Sequence, residues 1–316
     1  MKISIIGAGA IGGWVAGRLA LAGHDVALVA RGATADALAD GITIVEQGEQ
    51  RTACPHIITD VAAIGPQDVI IIAVKAPAMA DSAQATRPML GRDTIIVPMM
   101  NGVPWWFLDG APLASVDPDG RIAAALPVGQ TLGCVVHAAC RREAPARIAV
   151  AMLDHFAIGE PAGGMSERAE SVAAMLDQAG LAGRAVPDIR RAIWYKLWGN
   201  MTANPISALT LATADRILAN DQVRDFMLAC MAEAAAIGAA VGCPIAESGE
   251  DRMKVTATLG AFKTSMLQDV EAGRRLELDA LLAAPLEIAA RVGVPAPNLA
   301  ALHGLTRLMG ESRGLL

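Results

Sequence analysis

The first dozen residues constrain the fold of this chain more than any other stretch, because a short apolar run leads directly into a glycine-rich turn. Residues 1–6 are Met-Lys-Ile-Ser-Ile-Ile, residues 7–12 are Gly-Ala-Gly-Ala-Ile-Gly, and a helical pattern follows. In a dinucleotide site the first glycine permits a tight turn, the second admits the pyrophosphate, and the third lets the helix pack on the strand. A glycine-rich turn without a ligand is the alternative. The turn predicts the following cofactor-binding residues: Gly7, Ala8, Gly9, Ala10, Ile11 and Gly12.

The end of the second predicted strand indicates which nicotinamide cofactor this turn would bind. Residues 26–30 are apolar, Arg31 and Gly32 follow them, and no Asp or Glu occupies the strand tip. A carboxylate at this position binds the ribose 2′-hydroxyl of NAD, whereas an arginine accommodates the 2′-phosphate of NADP. The sequence therefore favours NADP(H), with Arg31 as the phosphate contact. The alternative is that Arg31 is an ordinary solvated charge.

The composition is typical of a globular enzyme and argues against several other classes of protein. The chain has 316 residues, 53% of them hydrophobic and 18% charged, with a formal net charge of −6. An acidic chain with only 3% aromatic residues offers few groups to neutralise phosphates or stack on bases, so we expect no nucleic-acid partner. Its five cysteines form no Cys-x-x-Cys pair, which favours reduced thiols, no metal site and a cytoplasmic location.

We expect neither a signal peptide nor a membrane span. Although Met1 and Lys2 precede apolar residues, that stretch contains the glycine motif and Arg18 interrupts it, so a strand and a helix explain it better. Elsewhere no run of about 20 uncharged apolar residues occurs.

Short apolar runs in the first half predict a doubly wound parallel sheet of the Rossmann type, because they alternate with helical or turn-rich segments. These runs cover residues 42–45, 69–74, 94–97, 132–137 and 147–150. The run at 69–74 has no polar alternation, so we expect an interior strand covered on both faces. Lys75 follows that strand and Asn101 follows the next. Both are candidate site residues, because doubly wound sheets bind ligands at the carboxyl ends of their strands; ordinary loop positions are the alternative.

The pattern changes near residue 187 and becomes helical. We predict a Rossmann-type NADP-binding domain over residues 1–187 and an all-helical, substrate-binding and catalytic domain over residues 188–316. The predicted helical segments cover residues 190–214, 215–242, 247–272 and 276–293. Residues 104–120 are predicted to form a long loop that carries the cluster Trp105-Trp106-Phe107, and loops of this length are often functional.

A polar stripe on the first predicted helix of the second domain indicates the chemistry. At 100° per residue, Lys196, Asn200 and Asn204 fall within about 80° of one another among apolar neighbours. Two amides and an ammonium are costly to bury without hydrogen bonds, and a 2-oxo acid would supply the oxygens for them. A stripe that faces solvent or caps a neighbouring loop is the alternative. Further along the chain, Ser265 and Gln268 match a capping box, so Ser265 is expected to start a helix.

Taken together, these motifs resemble ketopantoate reductase (2-dehydropantoate 2-reductase) over nearly the whole chain. Their order and spacing in both domains make the resemblance far more specific than the glycine turn alone. The motifs are GAGAIG at 7–12, Arg31, Lys75, Asn101-Gly102, KLxxNxxxNP at 196–205, Ser-Met-Leu-Gln-Asp at 265–269 and Arg-Leu-Glu-Leu-Asp at 275–279.

The resemblance implies roles for the substrate-binding residues. Lys196 matches the proton donor to the substrate carbonyl, which fits the need for a proton and for charge stabilisation as an alkoxide develops. Asn200, Asn204 and Ser265 match residues that bind substrate. Glu277 matches a glutamate that supports the site and lies by the cofactor, whereas an exposed helical charge is its alternative.

The resemblance also implies further cofactor contacts. Asn101 and Lys75 match positions that line the nicotinamide cofactor, and Asn101 is expected to reach the substrate as well. Ala139 matches another cofactor-lining position. The implied cofactor is NADPH, and the implied partner is a small 2-oxo acid. Separately, the apolar composition of the helical domain favours a homodimer formed through it.

Two positions depart from the family pattern. Ala214 and Phe262 stand where asparagines occur in some members, and substrate choice depends on such contacts. The leading hypothesis, which the resemblance implies, is reduction of 2-dehydropantoate to pantoate in the biosynthesis of pantothenate. The alternatives are a related NADP-dependent enzyme that acts on another oxo or imino acid, and a non-catalytic NADPH sensor.

Overall fold

The chain forms two compact units in the computed structural model, which describes residues 1–258 and 260–316. The first, here called the sheet unit, comprises Met1–Met100, Trp106–Pro112 and Asp119–Arg190. The second, here called the helical unit, comprises Asn101–Trp105, Leu113–Pro118 and Arg191–Leu316. Two short segments of the predicted 104–120 loop therefore belong with the helices.

The sheet unit contains the predicted parallel sheet. Five strands pair in the order β5-β2-β1-β6-β7, and each neighbouring pair is parallel, which confirms the Rossmann-type prediction. The strands of the unit are β1 Lys2–Ile6, β2 Asp25–Val29, β3 Ile42–Glu46, β4 Glu49–Ala53, β5 His56–Ile58, β6 Val69–Ile72, β7 Ile95–Pro98, β8 Gly133–Ala144, β9 Arg147–Gly159 and β10 Gly183–Ala185. Its helices are α1 Ala10–Leu21, α2 Ala33–Ala37, α3 Met79–Ala85, α4 Arg121–Ala125 and α5 Glu167–Gln178.

Register in this sheet aligns the carboxyl ends of the strands that carry the predicted cofactor residues. The last residue of β1, Ile6, lies opposite Val29 of β2 and Ile72 of β6. All four residues of β6 are fully buried, as expected for an interior strand of Val and Ile that is covered on both faces. The glycine turn after β1 and the residues that follow β2 and β6 therefore emerge at one edge of the sheet.

The prediction that all of the apolar runs belong to one doubly wound sheet was wrong. Strands β3, β8 and β9 form a second sheet with β4 and β10. The β3–β4 and β8–β9 pairs are antiparallel hairpins, each with two residues between the paired ends Glu46↔Glu49 and Ala144↔Arg147. So short a connection cannot hold the crossover that a parallel pair needs, whereas an antiparallel hairpin requires only two residues. Gln47 and Gly48 both have positive φ, as a two-residue hairpin turn requires, and apolar periodicity does not detect such a turn.

Helix α1 packs against the second sheet through small residues. A Cβ on Gly13 would lie 2.7 Å from Ile148 Cδ1, and one on Gly17 would lie 2.6 Å from Ile44 Cδ1. The neighbouring Trp14 is fully buried, with its ring 5.7 Å from that of Phe156. These contacts fix the axis of α1 and therefore the direction in which its N-terminus points.

The helical unit is built from seven α-helices in its described residues, the first of which begins two residues before the unit does. They are α6 Ile189–Thr210, α7 Ala214–Ala219, α8 Asp221–Ala240, α9 Gly249–Ala257, α10 Ser265–Glu271, α11 Ala284–Val292 and α12 Pro297–Ser312. A π-helical turn, Asp279–Ala283, precedes α11. The single helix expected over residues 247–272 was wrong, because Thr264 Oγ1 accepts a hydrogen bond from Leu267 N and so starts a new helix. Among the described residues, every helix is too short or too polar to span a bilayer.

Candidate active site

The glycine turn after β1 has the geometry of a ligand cradle. A Cβ on Gly7, whose φ is +110°, would lie 2.5 Å from the carbonyl oxygen of Ala73. A Cβ on Gly12 would lie 1.9 Å from the carbonyl oxygen of Gly7, so both positions exclude a side chain. A Cβ on Gly9 would instead meet no described protein atom within 4 Å. The space over Gly9 is thus open to a ligand, which fits the close approach of a pyrophosphate.

The N-terminus of α1 is available to an anion. Gly9 is the N-cap, and among the described residues no side chain caps the helix and no acidic residue occupies its first turn. The first backbone N–H groups of a helix lack partners within the helix and carry partial positive charge. Together with the open space at Gly9, this donor set suits the pyrophosphate of a dinucleotide.

Two other predicted cofactor residues lie at the same edge of the parallel sheet. Arg31 is exposed and follows β2 by two residues, and Lys75 follows β6 at the start of a short 3₁₀ turn. Both strands pair with β1, so their carboxyl ends flank the glycine turn. Ala139 lies instead in the second sheet, where it pairs with Met152 at an irregularity in the β8–β9 register.

Helix α6 presents the predicted polar stripe because two tryptophans fix its opposite side. Trp194 donates from Nε1 to the carbonyl of Ala234 at 3.1 Å, and Trp198 donates to the carbonyl of Met231 at 2.8 Å. Both indoles are buried against α8. At 100° per residue, Lys196 lies about 160° from each of them around the helix axis. The tryptophan anchors therefore turn the Lys196 face away from α8.

The ammonium of Lys196 contacts a residue that is 95 positions earlier in the chain. Its Nζ donates to Oδ1 of Asn101 at 2.9 Å. Asn101 is held in place by the next two residues, because Val103 N donates to the carbonyl oxygen of Ala280 at 2.9 Å. Between them Gly102 has a φ of +86°, and a Cβ there would lie 2.4 Å from that same carbonyl oxygen. The close backbone approach at Ala280 thus positions Asn101 for Lys196.

Asn204 and Ser265 also lie together in the helical unit. Asn204 is 5% exposed and donates from Nδ2 to Ser265 Oγ at 3.5 Å. The helix predicted to start at Ser265 does begin there, but its N-cap is Thr264 rather than Ser265. Its hydroxyl is therefore not used as the helix cap. Glu277 is 9% exposed, so the expectation of an exposed helical charge does not describe it.

The two departures from the family pattern are neighbours in the structure. Ala214 N donates to the carbonyl oxygen of Phe262 at 2.9 Å. The two positions that carry amides in some members therefore form one corner of the helical unit, and in this chain that corner has a methyl group and a phenyl ring. Phe262 is 37% exposed, so its ring is accessible to solvent or ligand.

Sequence reasoning missed a cluster beside the polar stripe. The guanidinium of Arg252 on α9 lies 5.0 Å from the centre of the Tyr195 ring on α6, and Tyr195 Oη donates to the carboxylate of Glu247. Neither Arg252 nor Glu247 belongs to a recognisable motif, so only the packing of α9 on α6 reveals the cluster. In the described residues no group of three or more His, Cys, Asp or Glu side chains is arranged to hold a metal ion.

Two family models match the chain, one on each half. Residues 3–163 match the model described as ketopantoate reductase PanE/ApbA, and residues 188–310 match ketopantoate reductase PanE/ApbA C terminal. A 2-dehydropantoate 2-reductase from Mesorhizobium japonicum is 40% identical over 99% of both chains.

Solved structures share the fold along the whole chain. A candidate ketopantoate reductase from Ralstonia solanacearum superposes with a TM-score of 0.96 at 50% identity, covering 100% of this chain and 99% of its own. A D-mandelate dehydrogenase bound to NADH and anilino(oxo)acetate has a TM-score of 0.87 over the full length of both chains. At 20% identity the latter likeness concerns the fold alone.

Proposed function

This chain belongs to the ketopantoate reductase family of NAD(P)-dependent oxidoreductases, and from that premise we propose that it reduces 2-dehydropantoate to pantoate with NADPH. The observation that carries the proposal is the hydrogen bond from Lys196 Nζ to Asn101 Oδ1. Lys196 lies on a face of α6 that also bears Asn200 and Asn204. An ammonium among amides can donate hydrogen bonds to the oxygens of a 2-oxo acid and can donate a proton to one of them.

Each residue of this site has a distinct proposed task. NADPH, when bound, would supply the hydride that reaches the carbonyl carbon of the substrate. Lys196 holds a proton at Nζ and transfers it to the carbonyl oxygen as negative charge develops there. Asn101 orients that ammonium, while Asn200, Asn204 and Ser265 orient the substrate through hydrogen bonds. Glu277 supports the site as a buried acid.

The proposed cradle for the cofactor lies in the sheet unit. Gly7, Gly9 and Gly12 form the cradle, in which Ala8, Ala10 and Ile11 supply backbone, and Arg31 binds the 2′-phosphate. Lys75, Asn101, Ala139 and Glu277 are proposed as further cofactor contacts. Residues 1–187 are thus the cofactor domain of the proposal, and residues 188–316 provide most substrate contacts.

Preference for NADPH gives a direct prediction for Arg31→Ala. Loss of a charge-assisted contact costs about 1.5–3 kcal/mol, so we expect the NADPH dissociation constant to rise about 10- to 100-fold and that of NADH to stay nearly unchanged. Fluorescence titration of both cofactors measures this. Arg184→Ala, which removes an exposed arginine on β10, is the matched control. Equal losses for NADPH and NADH would mean that Arg31 does not contact the 2′-phosphate.

The reaction itself is tested by NADPH oxidation, followed by its absorbance, with 2-dehydropantoate and a panel of other 2-oxo acids. We expect 2-dehydropantoate to give the highest kcat/KM. Faster turnover of another acid would identify a related reductase instead, and the apolar corner at Ala214 and Phe262 favours acids with a larger apolar group in that case. Tight NADPH binding with no turnover of any acid would support a sensor.

Two further expectations accompany the proposed function. A cytoplasmic location is proposed because the structure contains five free cysteines, which suits a reducing compartment. Association into a homodimer through the helical unit is also proposed, since Leu305 and Leu308 of α12 are 57% and 62% exposed.

A further inference from the structure

Arg252 carries a positive charge that its surroundings leave without a carboxylate. Its Nη1 lies 3.4 Å from Tyr195 Oη, and its guanidinium stacks over the Tyr195 ring. Within the described residues its buried Nε donates to no acceptor, and Arg252 forms no ion pair. A half-buried guanidinium without an anion is unfavourable, because arginine is normally buried with carboxylate or phosphate partners.

The acid that shares Tyr195 Oη with Arg252 is already engaged with the phenol. Glu247 accepts a hydrogen bond from Tyr195 Oη, so its charge is directed to the phenol rather than to the guanidinium. Burial, followed by the hydrogen bond to Glu247, raises the pKa of Tyr195 above its usual value, which keeps the phenol protonated as the donor. Tyr195 Oη therefore contacts both groups, while Glu247 and Arg252 form no ion pair with each other in the described residues.

Arg252 lies beside the Lys196 edge of the polar stripe on α6. A Cβ on Gly199 would be 3.3 Å from both Nε and Nη2 of Arg252, so the absence of a side chain at 199 admits the guanidinium. At 100° per residue, Gly199 is about 60° from Lys196 and about 100° from Asn200 around the helix. Ala203 lies between these directions and, like Gly199, Lys196 and Asn200, keeps partial solvent contact. Guanidinium and ammonium thus border one half-buried surface.

We propose that Arg252 binds the carboxylate of the 2-oxo acid and so sets the specificity of the site for acids over neutral ketones. The inference rests on the proposed function and deepens it. The division of labour is physical: a guanidinium offers two parallel N–H donors to a carboxylate, whereas the ammonium of Lys196 is left to the carbonyl oxygen. Arg252 also supplies a polar contact in a chain whose Ala214 and Phe262 provide no side-chain amide.

The test compares Arg252→Gln with the parent enzyme on a matched pair of substrates, 2-dehydropantoate and its neutral 1-carboxamide. We expect the variant to raise KM for the acid about 10- to 100-fold, as for loss of a charge-assisted contact, with a smaller change in kcat and little change in KM for the amide. Arg252→Lys should recover part of the loss because it restores the charge. Arg307→Gln, which alters an exposed arginine of α12, is the control for a general change in charge.

Two results would overturn the inference. Equal losses for acid and amide would assign Arg252 to packing of α9 on α6, and unchanged KM for the acid would remove it from the site. Thermal unfolding of each variant detects loss of the fold.

Calorimetric titration of 2-dehydropantoate into the NADP⁺ complex separates this inference from the proposed function. If the parent enzyme turns over neither compound, the proposed function fails, yet weaker binding of the acid by Arg252→Gln still supports the carboxylate site. Equal binding by both proteins, or no binding by either, overturns the carboxylate site.

Discussion

Lys196→Ala is expected to lower kcat for 2-dehydropantoate by about 10²- to 10⁴-fold, the range in which general acid catalysis contributes. The reason is that Lys196 Nζ is the proton-bearing group beside Asn101, at 2.9 Å from its Oδ1, whereas Asn200 and Asn204 carry amides that do not titrate. NADPH affinity should remain close to that of the parent, because the glycine cradle and Arg31 lie on the sheet unit. Single-turnover hydride transfer at saturating NADPH and substrate is the measurement.

Two companion variants make the Lys196 result specific. Lys196→Arg keeps the positive charge but replaces the ammonium by a guanidinium that does not deprotonate at neutral pH, so it should be nearly as slow as Lys196→Ala if proton transfer is the task. Lys254→Ala removes an exposed lysine of α9 and should leave the rate unchanged. A rate for Lys196→Ala within about threefold of the parent, far below the general-acid range, would move the proton donor to Glu277 or to water.

Gly102→Ala is expected to lower kcat/KM by about 100-fold, although residue 102 has no side chain that could take part in chemistry. The added Cβ would lie 2.4 Å from the Ala280 carbonyl oxygen at a φ of +86°, so the segment must shift and carry Asn101 away from Lys196. Displacement of a positioning group by about 1 Å can cost on the order of 10²-fold in rate. Steady-state kinetics, combined with thermal unfolding, measures the effect.

The matched control for Gly102 is Gly293→Ala. Gly293 also has a positive φ, +70°, but a Cβ there would meet no described atom within 4 Å. In both variants the free energy of unfolding should fall by about 1–2 kcal/mol, because alanine disfavours the left-handed backbone. Only Gly102→Ala should also lower kcat/KM. If the two variants kept the same kcat/KM, the close approach at Ala280 would have no part in positioning Asn101.

Much of the fold and of the candidate site could be predicted because its signals are local. The strand, glycine turn and helix at residues 1–21 are contiguous, and the sterics of that turn follow from Gly7 and Gly12 alone. The stripe of Lys196, Asn200 and Asn204 follows from helical periodicity once α6 exists. The roles of these residues came from resemblance to a family rather than from periodicity.

Other features could not be predicted from local patterns. The periodicity of an apolar run gives a strand but not its partner, so β3, β8 and β9 were placed in the wrong sheet. The break between α9 and α10 depends on a cap at Thr264 that competes with Ser265 one residue later, and apolar spacing does not distinguish the two.

The amino-acid sequence alone specifies which chemical groups the chain offers: a glycine-rich cradle at residues 7–12, an arginine after the second strand, and an ammonium followed by two amides along one helix. Which of these groups meet depends on how the helices pack. Asn101 reaches Lys196 across 95 residues because Val103 bonds to Ala280, and Arg252 reaches α6 across 57 residues because Gly199 leaves room for it. Such contacts depend on helix packing and on the space a missing side chain leaves, and neither is encoded in the spacing of residues along one element.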